Sequence, residues 1–122
     1  MRFRSKTDVR AALRERLDPA FFKALGDPTR LELVCRLAVA GHPLRVSDLT
    51  DCCGVHLSGV SRHLAILERA GVVTSRRSGR EVRYQLAFED VVASLRALDG
   101  ALEACRGTRE AVAAGPGGTR SR

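Results

Sequence analysis

Six stretches of apolar residues at helical spacing, a glycine turn joining two of them, and one short hairpin pattern predict a mainly α fold with a small β-hairpin. The first stretch, Thr7 to Leu17, carries Val9, Leu13 and Leu17. Asp18-Pro19 interrupts it, and Ala20 to Leu25 resumes as a second short helix that Gly26 ends. Asp27-Pro28 is a helix start, an N-cap acceptor followed by proline in the first helical position, and Leu31, Val34, Leu37 and Ala38 then supply an apolar face. Gly41-His42-Pro43 stops that helix.

Val46 to Cys53 reads as a short helix with Val46, Leu49 and one cysteine inward, closed by Gly54. A longer one, from about Leu57 to Ala70, buries Val60, Leu64 and Leu67 and ends at Gly71. Two short helices joined through a glycine turn form a helix-turn-helix unit, whose second member reads DNA. Val72-Val73-Thr74 and Val82 to Leu86 read as strands around Ser78-Gly79, a hairpin signal. The hairpin beside the helix pair makes the expected fold a winged helix-turn-helix.

From Glu89 the pattern is helical again, with Val91, Leu95, Leu98, Leu102 and Cys105 spaced four, three, four and three apart. Such a seam suits packing on another helix, so a homodimer through the N- and C-terminal helices is expected. The competing expectation is that both helices cover their own core. The expected organisation is an N-terminal dimerisation helix over 1–18, the winged helix-turn-helix with its C-terminal dimerisation helix over 19–106, and a flexible tail over 107–122.

The 122 residues hold 21 Lys+Arg against 14 Asp+Glu, a net charge of +7, which attracts a polyanion. Arginine supplies most of that charge, and its planar fork suits phosphates and guanine edges. On the helix from Leu57 the inward stripe leaves Ser58, Gly59, Ser61, Arg62 and His63 near the groove-entering end. Arg62 is the strongest candidate for a base contact; His63, beside core leucines, could equally satisfy a backbone group. In the hairpin, Arg76, Arg77, Arg80 and Arg83 stand against the single acid Glu81, a pattern suited to phosphate or minor-groove contact. Tyr84 is expected to pack the hairpin on the helices.

The basic Met1–Lys6 is followed by no apolar run of signal length, and none spans a bilayer, so a cytoplasmic location and no membrane partner are expected. Thiols there stay mostly reduced, which makes Cys35, Cys52, Cys53 and Cys105 candidates for packing, metal or redox roles. A soft ion such as As(III), Hg(II), Cd(II) or Pb(II) prefers thiolates. Cys52 and Cys53 converge only if their helix ends there, and a third ligand would come from Cys105, Cys35 or His56. Cys35 is expected on the buried face of its helix, as a small hydrophobe. No organic cofactor and no enzyme activity are expected. Six residues on from the four cysteines stand Gly41, Ser58, Gly59 and Ala111, never the arginine of an anion-binding loop, and no Cys-x-x-Cys or phosphate-cradling glycine loop occurs.

The runs Phe22-Lys23-Ala24-Leu25-Gly26-Asp27-Pro28-Thr29-Arg30-Leu31, Val46-Ser47-Asp48-Leu49, Val60-Ser61-Arg62-His63-Leu64 and Arg80-Glu81-Val82-Arg83-Tyr84-Gln85-Leu86 together resemble the ArsR/SmtB family of bacterial metal-sensing repressors. The resemblance covers roughly residues 20 to 105. It implies a homodimer on a palindromic double-stranded operator, released when an inducer binds, with As(III) the favoured ion. Three departures qualify it. His56 stands where similar proteins place a capping serine. The Cys-Val-Cys-x-x-Cys run of similar arsenic sensors is missing, the vicinal pair lying further along. The last helix, from Glu89 to Cys105, lacks the histidines of the zinc-type site. The resemblance also offers an alternative, a redox- or persulfide-responsive pair made of Cys35 and Cys105.

Overall fold

The computed structural model describes residues 6–53 and 56–113. Six helices and three strands follow one another as α1 (Lys6–Arg16), α2 (Pro19–Leu25), α3 (Pro28–Ala40), β1 (Leu44–Arg45), α4 (Val46–Cys53), α5 (Leu57–Arg69), β2 (Val73–Ser78), β3 (Glu81–Leu86) and α6 (Phe88–Ala113). The result is a mostly helical winged helix-turn-helix. Contacts divide the chain into two compact units, residues 18–92 and the flanking segments that carry α1 and the rest of α6. Of the expected tail over 107–122, residues 107–113 are instead the last turns of α6, and the remainder lies outside the described residues.

In the unit 18–92, local signals set most helix ends. Asp18 caps α2 by accepting from the Ala20 N–H at 3.1 Å, and Asp27 caps α3 by accepting from the Arg30 N–H at 3.1 Å. Gly41 closes α3 in the left-handed region at φ 77°. At the end of α5 the Gly71 N–H donates to the Glu68 carbonyl and the Val72 N–H to the Leu67 carbonyl, while Gly71 sits at φ 81°. These two bonds close the helix as a Schellman motif and turn the chain into the hairpin. Helix α4 begins differently: the Asp48 carboxylate, three residues in, accepts from the Arg45 N–H at 2.9 Å, the half of a capping box that reaches back.

The core is one cluster. Leu33 and Leu37 of α3, Leu49 of α4, and Val60, Leu64 and Leu67 of α5 meet Val72, Val73 and Leu86 of the hairpin, with Phe21 and Ala24 of α2 and Val91 of α6. Leu33, Leu49, Val60, Leu64 and Leu67 are wholly removed from solvent. On α3 the expected face is rotated: Leu31 is exposed, and the buried stripe runs through Leu33 and Leu37 with Val34 and Ala38 at its edge. At about 100° per residue the pair 34 and 38 lies to one side of the pair 33 and 37, and Leu31, beyond 38 on that same side, turns out of the core.

The hairpin is part of a three-stranded antiparallel sheet in the order β1-β3-β2. Ser78 pairs with Glu81, so the loop is Gly79-Arg80, one residue later than expected, with Gly79 at φ 63° in the first loop position. Strand β1, unforeseen in the sequence, adds to the other edge by pairing Leu44 with Tyr84 and Arg45 with Arg83. Tyr84 packs against the core as expected, and its partial burial, with the Glu68 carboxylate nearby, raises its phenol above the ordinary value.

In the other unit, Ala101 is buried and Leu98 and Cys105 are half-buried, but Leu95 and Leu102 stand 44% and 52% exposed. Among the described residues no helix is long and apolar enough to cross a membrane.

Two outcomes are expected. Leu64→Ala should cost about 2–5 kcal/mol, the range for opening a cavity at a wholly buried leucine, read as a shift in urea midpoint. The Asp27 carboxyl is held below the ordinary carboxylate range chiefly by the Arg30 backbone N–H, and that of Asp48 chiefly by the Arg45 side chain. A depressed folded value means that stability is fully present above the unfolded value of about 4 and is lost as pH falls through the folded one. Asp27→Asn and Asp48→Asn should therefore each flatten the loss of stability below about pH 4 in urea unfolding curves collected across the acid range. An unchanged acid limb in both would contradict the assigned bonds.

Candidate nucleic-acid interface

Burying Val60, Leu64 and Leu67 on one side of α5 decides what its other side shows. Ser58, Ser61 and Arg62 are exposed at its N-terminal half, and Gly59 is half-buried between them. His56 is the N-cap, in extended conformation at φ −70° and ψ 160°, yet its side chain makes no capping bond. The first turn of α5 thus keeps backbone N–H groups without that side-chain acceptor, and the positive end of a helix dipole favours an anion. Arg62 makes no ion pair among the described residues.

His63 is half-buried and faces inward. Its Nδ1 lies 3.2 Å from Arg30 Nη1. A guanidinium can only donate, so Nδ1 is the acceptor in this contact. The same Arg30 donates through Nε to the Ala24 carbonyl at 2.7 Å and through Nη2 to the Lys23 carbonyl at 3.2 Å. One arginine therefore closes the C-terminal end of α2 and fastens α5 to it, which sets the azimuth at which Ser61 and Arg62 face outward.

The hairpin is fastened to the same helix. Ser75 donates its hydroxyl to Glu68 Oε2 at 2.6 Å, near the C-terminal end of α5. Arg76, Arg77 and Arg80 are exposed and make no ion pair among the described residues. Arg83 is not equivalent to them, because its Nη2 sits 2.8 Å from Glu81 Oε1. Register brings Arg45 opposite Arg83 and Arg83 opposite Arg76, so three guanidiniums form a row across one face of the sheet. The carboxylates of Asp48 and Glu81 offset the repulsion this row creates: Arg45 binds Asp48 Oδ1 at 3.1 Å and Glu81 Oε2 at 3.5 Å. Neither Arg45 nor Arg30 was singled out in the sequence, since the link each makes between elements depends on a partner distant along the chain, Glu81 for Arg45 and His63 for Arg30.

The four thiols divide differently from the expected arrangement. The described span of α4 runs to Cys53, so Cys52 and Cys53 both fall in its last described turn, while their side chains and the expected closing Gly54 lie outside the described residues. Cys35 is exposed rather than on the buried face of α3, because that face is the rotated stripe of Leu33 and Leu37. Cys105 is half-buried on α6. Cys35 and Cys105 are free thiols and belong to different units.

This arrangement has known counterparts. Residues 25–76 match the helix-turn-helix domain family. A transcriptional repressor named SmtB from Mycobacterium tuberculosis is 46% identical over 76 residues, 61% of this chain and 55% of that protein. The arsenical resistance operon repressor of Escherichia coli is 39% identical over 66 residues, 54% of this chain and 56% of that one. The chain thus spans about half the length of these curated relatives. Among solved structures, an ArsR-like transcriptional regulator from Rhodococcus sp. RHA1 superposes with a TM-score of 0.66 at 28% identity, over 84% of this chain and 90% of its own. A homodimeric winged helix-turn-helix DNA-binding domain from Mycobacterium bovis gives 0.55 at 25% identity, over 92% and 94%. These likenesses agree with the buried stripe, the glycine-closed helix α5 and the arginine-bearing wing: the chain is similar to winged helix-turn-helix transcriptional regulators of the ArsR/SmtB type.

Proposed function

We propose that the protein is a DNA-binding transcriptional repressor that a thiophilic metal or metalloid ion, As(III) foremost, releases from its operator through cysteine thiolates. The observation that carries the DNA half is the polarity of α5, whose inner stripe is wholly buried while Ser58, Ser61 and Arg62 stand exposed beside the unpaired wing arginines. Ser58, Gly59, Ser61 and Arg62 then enter the major groove, with Arg62 reading a base edge. His63 serves from inside by holding the helix at its angle. Arg76, Arg77 and Arg80 grip phosphate, and Arg83 does so while sharing Glu81.

A homodimer on a palindromic duplex follows from two supports. The Mycobacterium bovis counterpart is homodimeric, and Leu95 and Leu102 on α6 are exposed leucines of a four-three spaced seam. The corresponding organisation is an N-terminal dimerisation segment over 1–18 and a winged helix-turn-helix from 19 on, whose last helix, α6, runs past 106 to Ala113.

The ion half rests on the place of the vicinal thiols. Cys52 and Cys53 are adjacent in the last described turn of α4, and two neighbouring thiols are a chelating start for a soft ion. His56, three residues beyond Cys53, spends no side-chain bond on capping α5, which leaves its ring for a third donor. Cys105 and Cys35 complete the candidate set. Soft thiolates select As(III), Hg(II), Cd(II) or Pb(II) over hard ions, and a related protein is an arsenical resistance repressor. An ion bound at the end of the first helix of the pair shifts that helix and weakens the grip. By linkage, the operator weakens ion binding by the same factor, commonly about 5–150-fold.

One observation favours a second reading: Cys35 is exposed, so its thiol is open to oxidants or persulfides, with Cys105 as the other member of the pair. A mobility titration of the reduced protein on operator duplex with As(III), Hg(II), Cd(II), Zn(II) and an organic persulfide separates the two. Cys52→Ser and Cys53→Ser are expected to bind the operator and to ignore the ion. Normal release in both, together with loss of response in Cys35→Ser, would replace ion sensing with thiol oxidation. Arg62→Ala should lose about 1–3 kcal/mol of discrimination between operator and scrambled duplex. Arg77→Ala should weaken both duplexes alike and lower the salt slope by about one.

A further inference from the structure

The first residues of α4 and the loop end of the wing are joined by an unbroken run of charged groups. Asp48, in the first turn of α4, holds Arg45 three ways: Oδ2 accepts its backbone N–H at 2.9 Å and its Nε at 3.3 Å, while Oδ1 accepts Nη2 at 3.1 Å. The remaining terminal nitrogen, Nη1, lies 3.5 Å from Glu81 Oε2. Glu81 is the first residue of β3, immediately after the Gly79-Arg80 loop, and its other oxygen takes Arg83. Arg36 of α3 donates to the Asp48 carbonyl at 3.1 Å, so the helical end of the run is itself anchored to the core helices. A guanidinium is the side chain that can do this, because its fork serves two carboxylates on opposite sides at once.

We infer that Arg45 is a positioning residue that fixes the wing to the start of α4, so that the wing's hold on DNA depends on where α4 sits. The inference rests on the DNA-binding reading above and deepens it, since α4 is also the helix that ends in Cys52 and Cys53. The row of Arg45, Arg83 and Arg76 explains why a fastening is needed. Three like charges abreast push the strands apart, and Arg45 brings in the two carboxylates that hold them in register. The Asp48 carboxyl is displaced downward and the Arg45 guanidinium upward, each chiefly by their mutual side-chain hydrogen bond, as a standing ion pair requires. Arg45 itself is not placed among the groups that touch DNA.

The sign of one substitution separates positioning from plain surface charge. Glu81→Gln and Asp48→Asn each delete a negative charge close to the wing, and by Coulomb attraction alone each variant should bind duplex DNA more tightly. Positioning demands the reverse. Operator affinity is expected to fall about two- to fivefold in both, the scale of one or two exposed ion pairs, with scrambled duplex unchanged or tighter. Arg45→Lys keeps the charge and loses the fork, so it is expected to behave as Glu81→Gln does.

The companion measurement needs no DNA. In amide hydrogen exchange of the full chain, the wing residues 76–83 are expected to exchange several-fold faster in Glu81→Gln and Arg45→Lys, with α3 and α5 unaltered. Wing protection equal to wild type in both variants, or tighter operator binding in Glu81→Gln with a wild-type exchange pattern, overturns the inference. Failure of the wild-type protein to bind any duplex would remove the DNA-binding reading instead, and the exchange measurement would still decide whether Arg45 fastens the wing.

Discussion

Val60, Leu64 and Leu67 lie wholly out of solvent on one side of α5, against Leu33 and Leu49 of the two preceding helices and Val72 and Val73 of the hairpin. Because a helix has one such side, this burial determines which residues are left for the opposite one, and Ser58, Ser61 and Arg62 are those residues. A rotation of α5 by one position would turn core leucine toward solvent and bring Ser61 and Glu68 inward. The exposed face is thus a consequence of core packing, and whatever changes the packing of α5 changes what the proposed DNA-reading face presents.

Around that helix the polar bonds act as orientation devices more than as sources of stability. Arg30 joins His63 to the carbonyl end of α2, Ser75 joins the hairpin to Glu68, and Arg45 joins the hairpin to α4. Exposed pairs of this kind contribute little each. Their value lies in fixing angles between elements whose apolar contacts tolerate some sliding. A net charge of +7 makes such devices useful, since arginines gathered on one face of the sheet repel one another. Asp48 and Glu81 stand where that repulsion is concentrated.

The thiols sit on separate elements, α3, the end of α4 and α6. An ion that gathers Cys52 and Cys53 acts at the end of α4 opposite to Asp48, so the proposed sensing chemistry and the charged run to the wing share one eight-residue helix. A short helix moves as a unit more readily than a long one buried over several turns, which makes α4 the natural element for a ligand to bias.

Local rules determined much of this protein in advance. Asp18, Asp27, Gly41 and Gly71 mark helix ends because capping needs only neighbouring backbone, and the stripe Val60, Leu64 and Leu67 announces the buried face of α5 because helical period is a property of consecutive residues. The basic hairpin was equally plain from Arg76, Arg77 and Arg80 around a glycine. Non-local pairing decided the remainder. Two residues cannot declare themselves a strand, so β1 exists only through Tyr84 and Arg83, and the rotation of α3 that exposes Leu31 and Cys35 reflects what α4, α5 and β3 offer to its face. Arg30 and Arg45 read as ordinary surface charges until folding brings His63 and Glu81 to them, 33 and 36 residues further along the chain. Sequence period could determine which side of each helix is apolar; which charged groups meet across the elements was left to tertiary structure, because an ion pair depends on distance in space and carries no pattern along the chain.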